Sequence, residues 1–310
     1  MSRLRTIATR GDTPVLAMSI ATGALVALLI AGFEYLTDSV LLERLSHRPL
    51  WQIALAPAIG LLLATLILRW AGRGLGSATS DEFIRVYHER TPRLPLRDLP
   101  AKFLAGVATI GFGGALGLEG PSIYMGSTTG LAVHDRFRRW LRREDVRILL
   151  TAGAAAGVAA VFKAPATGVL FALEAPYRDD VTRRALIPSL LAAATSYVTY
   201  INIIGPDSVI PFLNDPESRL GLNLIDAPLF TEDGLVWIHR DQLSALFTGV
   251  KASDVLGAVL VGILAGLGGR SMAWLVRWAK GISKQTNAVT RLLIGGSLLA
   301  VLAVAADALF

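Results

Sequence analysis

The chain has 310 residues, 53% of them hydrophobic and 17% charged, with a mean hydropathy of +0.53. Uncharged runs recur at about 20 residues, the length that crosses a hydrocarbon core, so the class is a polytopic membrane protein. There is no cysteine, which excludes disulfides, thiolate metal sites and cysteine nucleophiles, and His47, His88, His134 and His239 lack metal-ligand spacing. The net charge of +6 lies in short basic loops between apolar runs. That is a topogenic pattern and not a nucleic-acid patch.

Residues 1–12 carry Arg3, Arg5 and Arg10 and read as a cytoplasmic leader without signal-peptide cleavage grammar. Residues 13–310 then read as one transmembrane domain. A first span is expected over 14–36 and a second over 50–68, the latter with Trp51 and Trp70 as interfacial anchors. Residues 69–97 are basic and belong in the cytoplasm by the positive-inside rule.

The run 103–133 holds 31 positions and one formal charge, Glu119. A carboxylate inside so long an apolar run is costly to bury and marks a functional site. Gly113, Gly114, Gly117 and Gly120 crowd around it, and Pro121 follows. Glycine releases the backbone from helical angles, and proline is tolerated in a helix's first turn. The spacing therefore predicts two half-helices meeting near the bilayer midplane, the second starting at about Glu119. Its free N–H groups and positive dipole end make an anion site with a carboxylate sitting in it.

The arginines of 134–147 put the next loop back in the cytoplasm, so the broken segment goes in and returns. That cluster reads as a topogenic loop touching anionic lipid. A second broken segment, 148–173, is interrupted at Lys163-Ala164-Pro165 and ends at Glu174. The small residues of 152–157 predict close helix packing. Lys163 reads as a snorkelling lysine, and Lys102 either as a source of positive potential or as an interfacial group. Residues 185–206 span outward, and 207–251 form an acidic extramembrane loop with seven acids against three bases. Residues 255–276 return inward, and 292–306 begin another apolar run.

Gly117-Leu118-Glu119-Gly120-Pro121-Ser122 resembles the G-x-E-G-P signature of the CLC family of chloride channels and chloride/proton exchangers. Residues 99–106, 151–157 and 162–174 resemble the segments before and after it, in order and spacing from about residue 15 to 300. The resemblance implies an all-α fold with broken, re-entrant helices, arranged as a homodimer with one anion pathway per subunit. It implies transport of chloride or a similar small anion, with no enzymatic activity, cofactor or metal. Glu119 becomes an external gate that occupies an anion site and swings away when protonated. The family's G-S-G-I-P signature survives here only as Gly76-Ser77 within Gly76-Ser77-Ala78-Thr79-Ser80. By resemblance the anion site comprises Gly76, Ser77, Glu119 and Gly120; a helix cap is the alternative role for Ser77.

In the family's exchangers a glutamate at the second position of a Glu-Glu pair relays protons. Glu174 matches the first position and Ala175 occupies the second. Channel-like conduction is therefore expected, with a chloride/proton or fluoride/proton antiporter as the alternative and Glu119 and Glu174 as the remaining proton carriers. The family's later G-x-F-x-P half-helix and its tyrosine do not occur before Phe310. The chain is thus expected to cover the first half of a transport domain and slightly more, apparently truncated relative to the full inverted-repeat fold. A transport-incompetent half-subunit with a structural or regulatory role is the alternative of another class. The expected location is a prokaryotic plasma membrane, with the N-terminus in the cytoplasm.

Overall fold

The computed structural model describes residues 13–177, 183–205, 230–231, 234–235, 252–285, 290 and 294–301. The expected leader at 1–12 and most of the expected loop at 207–251 lie outside the described residues. The chain divides into two units, one of residues 1–209 with 292–310 and one of 210–291.

The first unit is helical throughout its described residues. Helix α1 (Thr13–Glu34) continues through a wide π-helical stretch, Tyr35–Leu42, into α2 (Glu43–Ser46). The sequence placed its end near residue 36, where Glu34 and Asp38 interrupt the apolar pattern. The helix runs on because Thr37 donates its hydroxyl to the Phe33 and Glu34 carbonyls, both at 3.0 Å, and so closes the wider turn from within. Helix α3 (Leu50–Trp70) matches the second expected span. Trp51 and Trp70 stand 63% and 79% exposed at its two ends, as interfacial anchors require. A short helix α4 (Ser80–Tyr87) follows.

Both predicted breaks are present. Helix α5 (Leu99–Gly111) stops before α6 (Glu119–Phe137), and α7 (Asp145–Phe162) stops before α8 (Pro165–Glu174). The two stops share one hydrogen-bond pattern, with the last carbonyls accepting from amides beyond the helix end. At the first, Gly113 N–H bonds Ile110 O at 2.8 Å and Gly114 N–H bonds Thr109 O at 2.9 Å. At the second, Lys163 N–H bonds Ala160 O at 3.2 Å and Ala164 N–H bonds Ala159 O at 3.3 Å. The pattern needs a left-handed residue after the helix. Gly113 supplies it at φ 77°, which glycine adopts without strain; Lys163 supplies it at φ 51° despite its Cβ.

Helix α7 is the centre of the unit, buried along almost its whole length and packed against α1, α6, α8 and α9 (Leu186–Ile204). On its α6 side the contact is backbone to backbone. A Cβ at Gly126 would run into the Gly153 carbonyl, one at Gly130 into Leu149 O, and one at Gly157 into Ser122 O. The small-residue run thus does what its composition predicts. On the other side Ser196 donates its hydroxyl to Ala156 O at 2.9 Å, tying α9 to α7. Tyr200 donates to the Glu34 carboxylate, tying α9 to α1. The helical residues 294–301 lie on α3, where Gly296 faces Ala58.

The second unit contains a two-residue antiparallel pair, β1 (Phe230–Thr231) with β2 (Gly234–Leu235), and one long helix, α10 (Ala252–Gln285). The latter carries the expected inward span. Among the described residues, five helical stretches are long and apolar enough to cross a membrane.

The glycine contact makes a stability prediction. Gly126→Ala forces α6 away from α7 and costs roughly 1–3 kcal/mol, as overpacking does. Gly32→Ala, with nothing within 4 Å of the new methyl group, serves as the control. Thermal unfolding in detergent separates the two, and a Gly126→Ala protein that melts with the parent rules out the close contact.

Candidate functional site

Two helix starts come together at one surface. Helix α6 begins at Glu119, and α4 begins at Ser80, directly after the loop that carries Gly76 and Ser77. Gly120, in the first turn of α6, faces that loop. A Cβ there would stand 2.5 Å from Thr79 Oγ1 and 3.5 Å from Ser80 Oγ, so any larger residue would have to displace the Thr79 side chain. The G-E-G-P spacing thus has a steric cause: Gly120 lets the two helix starts meet.

Neither start is closed by a side-chain cap. Pro121 has no N–H to offer, and Ser122 N–H bonds Leu118 O at 3.0 Å. Among the described residues no backbone carbonyl accepts the N–H of Glu119 or Gly120. Two amides at the positive end of a 19-residue helix are therefore open beside a carboxylate. Ser122 turns its own hydroxyl back to Glu119 O at 2.8 Å, which fixes the first turn without covering those amides. This is the chemistry of an anion cradle: neutral donors, a dipole end, and a competing anionic side chain.

The loop bearing Ser77 is held from behind by Lys102. Its Nζ donates to Gly76 O at 2.6 Å and to Ala78 O at 2.5 Å, and pairs with Glu82 at 3.2 Å. It also lies 4.9 Å from the centre of the Tyr124 ring. Lys102 is buried in α5, so it is not an interfacial group, and Glu82 partners its charge. It locks α5, α4 and α6 around the loop. The sequence showed Lys102 as an odd charge before an apolar run; its partners, 20 to 26 residues away, left no local trace.

Gly76, Ser77 and Glu119 are exposed and Gly120 is half-buried. The exposure of Glu119 differs from the burial its apolar run suggested. The break explains this, because it turns the first residues of α6 out of the helix packing and onto the surface of the unit. Ser77 is not a helix cap: α4 starts three residues later, with Thr79 at the cap position.

Glu174 is exposed at the last residue of α8, beside a half-buried Ala175. Among the described residues no hydrogen bond or ion pair joins Glu174 to Glu119. Just beyond, His88 Nε2–H donates to Pro176 O at 2.5 Å, and the Tyr87 and Tyr177 hydroxyls share a hydrogen bond of 2.7 Å. Arg147 donates to Tyr87 O at 3.0 Å and Glu89 O at 2.8 Å. The far end of α4 is thereby fixed to α7 and to the segment after α8. Sequence reasoning missed this cluster and the Glu34–Tyr200 contact, since both join residues far apart in the chain. Lys163 is half-buried at the second break, where it takes the left-handed conformation. Among the described residues no group of three or more histidines and carboxylates is placed to hold a metal.

Broken apolar helices and small-residue packing define a multi-pass, all-α membrane protein. Residues 59–310 match the family described as voltage gated chloride channel, and the chain belongs to that family, the CLC family. It is 33% identical over 271 residues to a Vibrio cholerae protein named H(+)/Cl(-) exchange transporter ClcA, covering 81% of this chain and 57% of that one. A Yersinia pseudotuberculosis protein of the same name is 30% identical over 285 residues, covering 85% and 58%. The chain thus spans less than two thirds of the length of these relatives. Its fold is similar to that of a slow cyanobacterial Cl-/H+ antiporter (TM-score 0.67, 23% identity, 93% of this chain and 63% of that one). It is also similar to that of a CLC-type fluoride/proton antiporter (TM-score 0.68, 24% identity, 95% and 66%).

The Lys102 lock is testable by stability. Lys102→Met leaves two loop carbonyls without their donor and Glu82 with Arg85 alone, and costs about 2 kcal/mol, in the range for leaving buried polar groups unsatisfied. Faster proteolysis within residues 72–79 accompanies the lower melting point. A variant with unchanged melting point and cleavage rate rules out the lock.

Proposed function

We propose that this chain carries the gate-bearing part of a pathway that exchanges a small anion, chloride in the first instance, for protons across a membrane. The observation that carries the proposal is the pair of open amides at Glu119 and Gly120, set against the Ser77 loop. The exchanger is favoured over channel-like conduction because the curated relatives described above bear exchange-transporter names. Ala175 argues the other way, since an alanine carries no proton. On the exchanger reading the inner proton route bypasses position 175, and Glu174 is the adjacent exposed carboxylate.

In the proposed cycle the Glu119 carboxylate and the transported anion compete for the same open amides. A proton from outside water neutralises the carboxylate, the side chain leaves the dipole end, and an anion takes its place. Ser77 adds one neutral hydroxyl donor. The reading further places residues 1–12 in the cytoplasm, 207–251 on the opposite side, and the protein as a homodimer in a prokaryotic plasma membrane.

The deciding experiment is proton uptake into liposomes driven by a chloride gradient, with voltage clamped by potassium and valinomycin. Uphill proton movement that disappears in Glu119→Gln, while pH-independent chloride flux persists, is the expected result. Chloride flux without proton movement returns the channel reading. Absence of both fluxes from the folded protein returns the half-subunit reading.

Ser77→Ala is expected to weaken chloride binding about fivefold by calorimetric titration, the worth of one neutral hydrogen bond. Equal affinity in variant and parent removes Ser77 from the site.

A further inference from the structure

A cleft of about 900 Å³ opens between residues 90–96 and the facing ends of α6 and α7. Five arginines line it: Arg90, Arg93, Arg136, Arg138 and Arg143. Asp135 is the one carboxylate in its lining, and it lies 3.4 Å from His134. Among the described residues none of the five guanidiniums makes an ion pair, although Arg85, Arg97, Arg142 and Arg184 on the same chain do. Five like charges around one cavity repel one another, and an anion from outside the chain relieves that repulsion beyond what solvent screening does.

We propose that this cleft binds the phosphate headgroup of an anionic phospholipid. Guanidinium groups offer paired donors that match phosphate oxygens, and basic pockets between membrane helices suit such headgroups. The walls favour a lipid over a free phosphate. Leu96 is exposed at the rim, and the floor includes the buried Leu94 and Leu131, so glycerol and acyl carbons meet apolar surface. Next to the cleft Trp140 is 64% exposed and stacks on Phe137 at 5.6 Å, with Arg136 over the other aromatic ring's charge cloud at 5.5 Å from Phe137. An exposed tryptophan beside arginines is the composition of a headgroup-level surface.

The test is native mass spectrometry of the full chain in neutral detergent, offered phosphatidylglycerol and phosphatidylcholine of identical acyl chains. The parent is expected to retain phosphatidylglycerol selectively. Arg93→Gln with Arg138→Gln is expected to lower that retention roughly 30-fold, from the loss of two surface cations. Arg69→Gln with Arg73→Gln, which removes the same charge outside the cleft, leaves it unchanged. The substituted residues are exposed, and thermal unfolding without lipid confirms that each variant is folded. Arg93→Lys with Arg138→Lys is expected to keep most of the selectivity. Equal retention of the two lipids overturns the proposal, as does parental retention in the double Gln variant. Displacement of phosphatidylglycerol by equimolar inorganic phosphate identifies a free phosphate as the occupant and overturns the lipid assignment.

Discussion

The direct backbone contact between α6 and α7 is the constraint on which the site depends. Without a hydrophobic force between helices in lipid, close packing of small residues must hold them together. Gly126, Gly130, Gly153 and Gly157 bring the two backbones within reach along several turns, so α6 cannot slide or rotate against the buried α7. Its first residues are then fixed in depth as well. Glu119 and Gly120 owe their positions to contacts spread over the first three turns of α6.

Breaking a helix inside a bilayer exposes polar backbone that no water can satisfy, and the two kinds of helix end meet this differently. The C-terminal ends of α5 and α7 are closed locally, each by amides folding back on the last carbonyls. The N-terminal starts of α6 and α4 are left without side-chain caps. Carbonyl ends are sealed and amide ends are open at the same break. An opening that attracts negative charge and offers no carbonyl to a cation follows from that asymmetry alone.

Much of this was legible in the sequence, because glycine and proline act locally. Gly113 and Pro121 bracket the first break, Lys163 and Pro165 the second, and charge-free runs gave the spans within a few residues. Glu119 stood out as the lone charge of its run. What stayed hidden has two causes. The π-helical continuation of α1 depends on Thr37 bonding its own helix, which apolar periodicity does not register. The Lys102 lock and the His88–Pro176 contact join segments separated by 20 to 88 residues, and no spacing rule reaches that far.

The placement of Lys102 bears on how such a site can both hold and release an anion. A free ammonium beside the cradle would bind an anion by a full charge, and release would be slow. Here the ammonium pairs with Glu82 and spends its donors on the carbonyls of Gly76 and Ala78. Lys102 therefore engages two of the loop's acceptors, which are then not free to meet a visiting anion. On the proposed reading, the attraction that remains comes from amide dipoles and a hydroxyl, which suits an anion that must leave as well as bind. The Glu119 carboxylate then competes with that anion for the same donors.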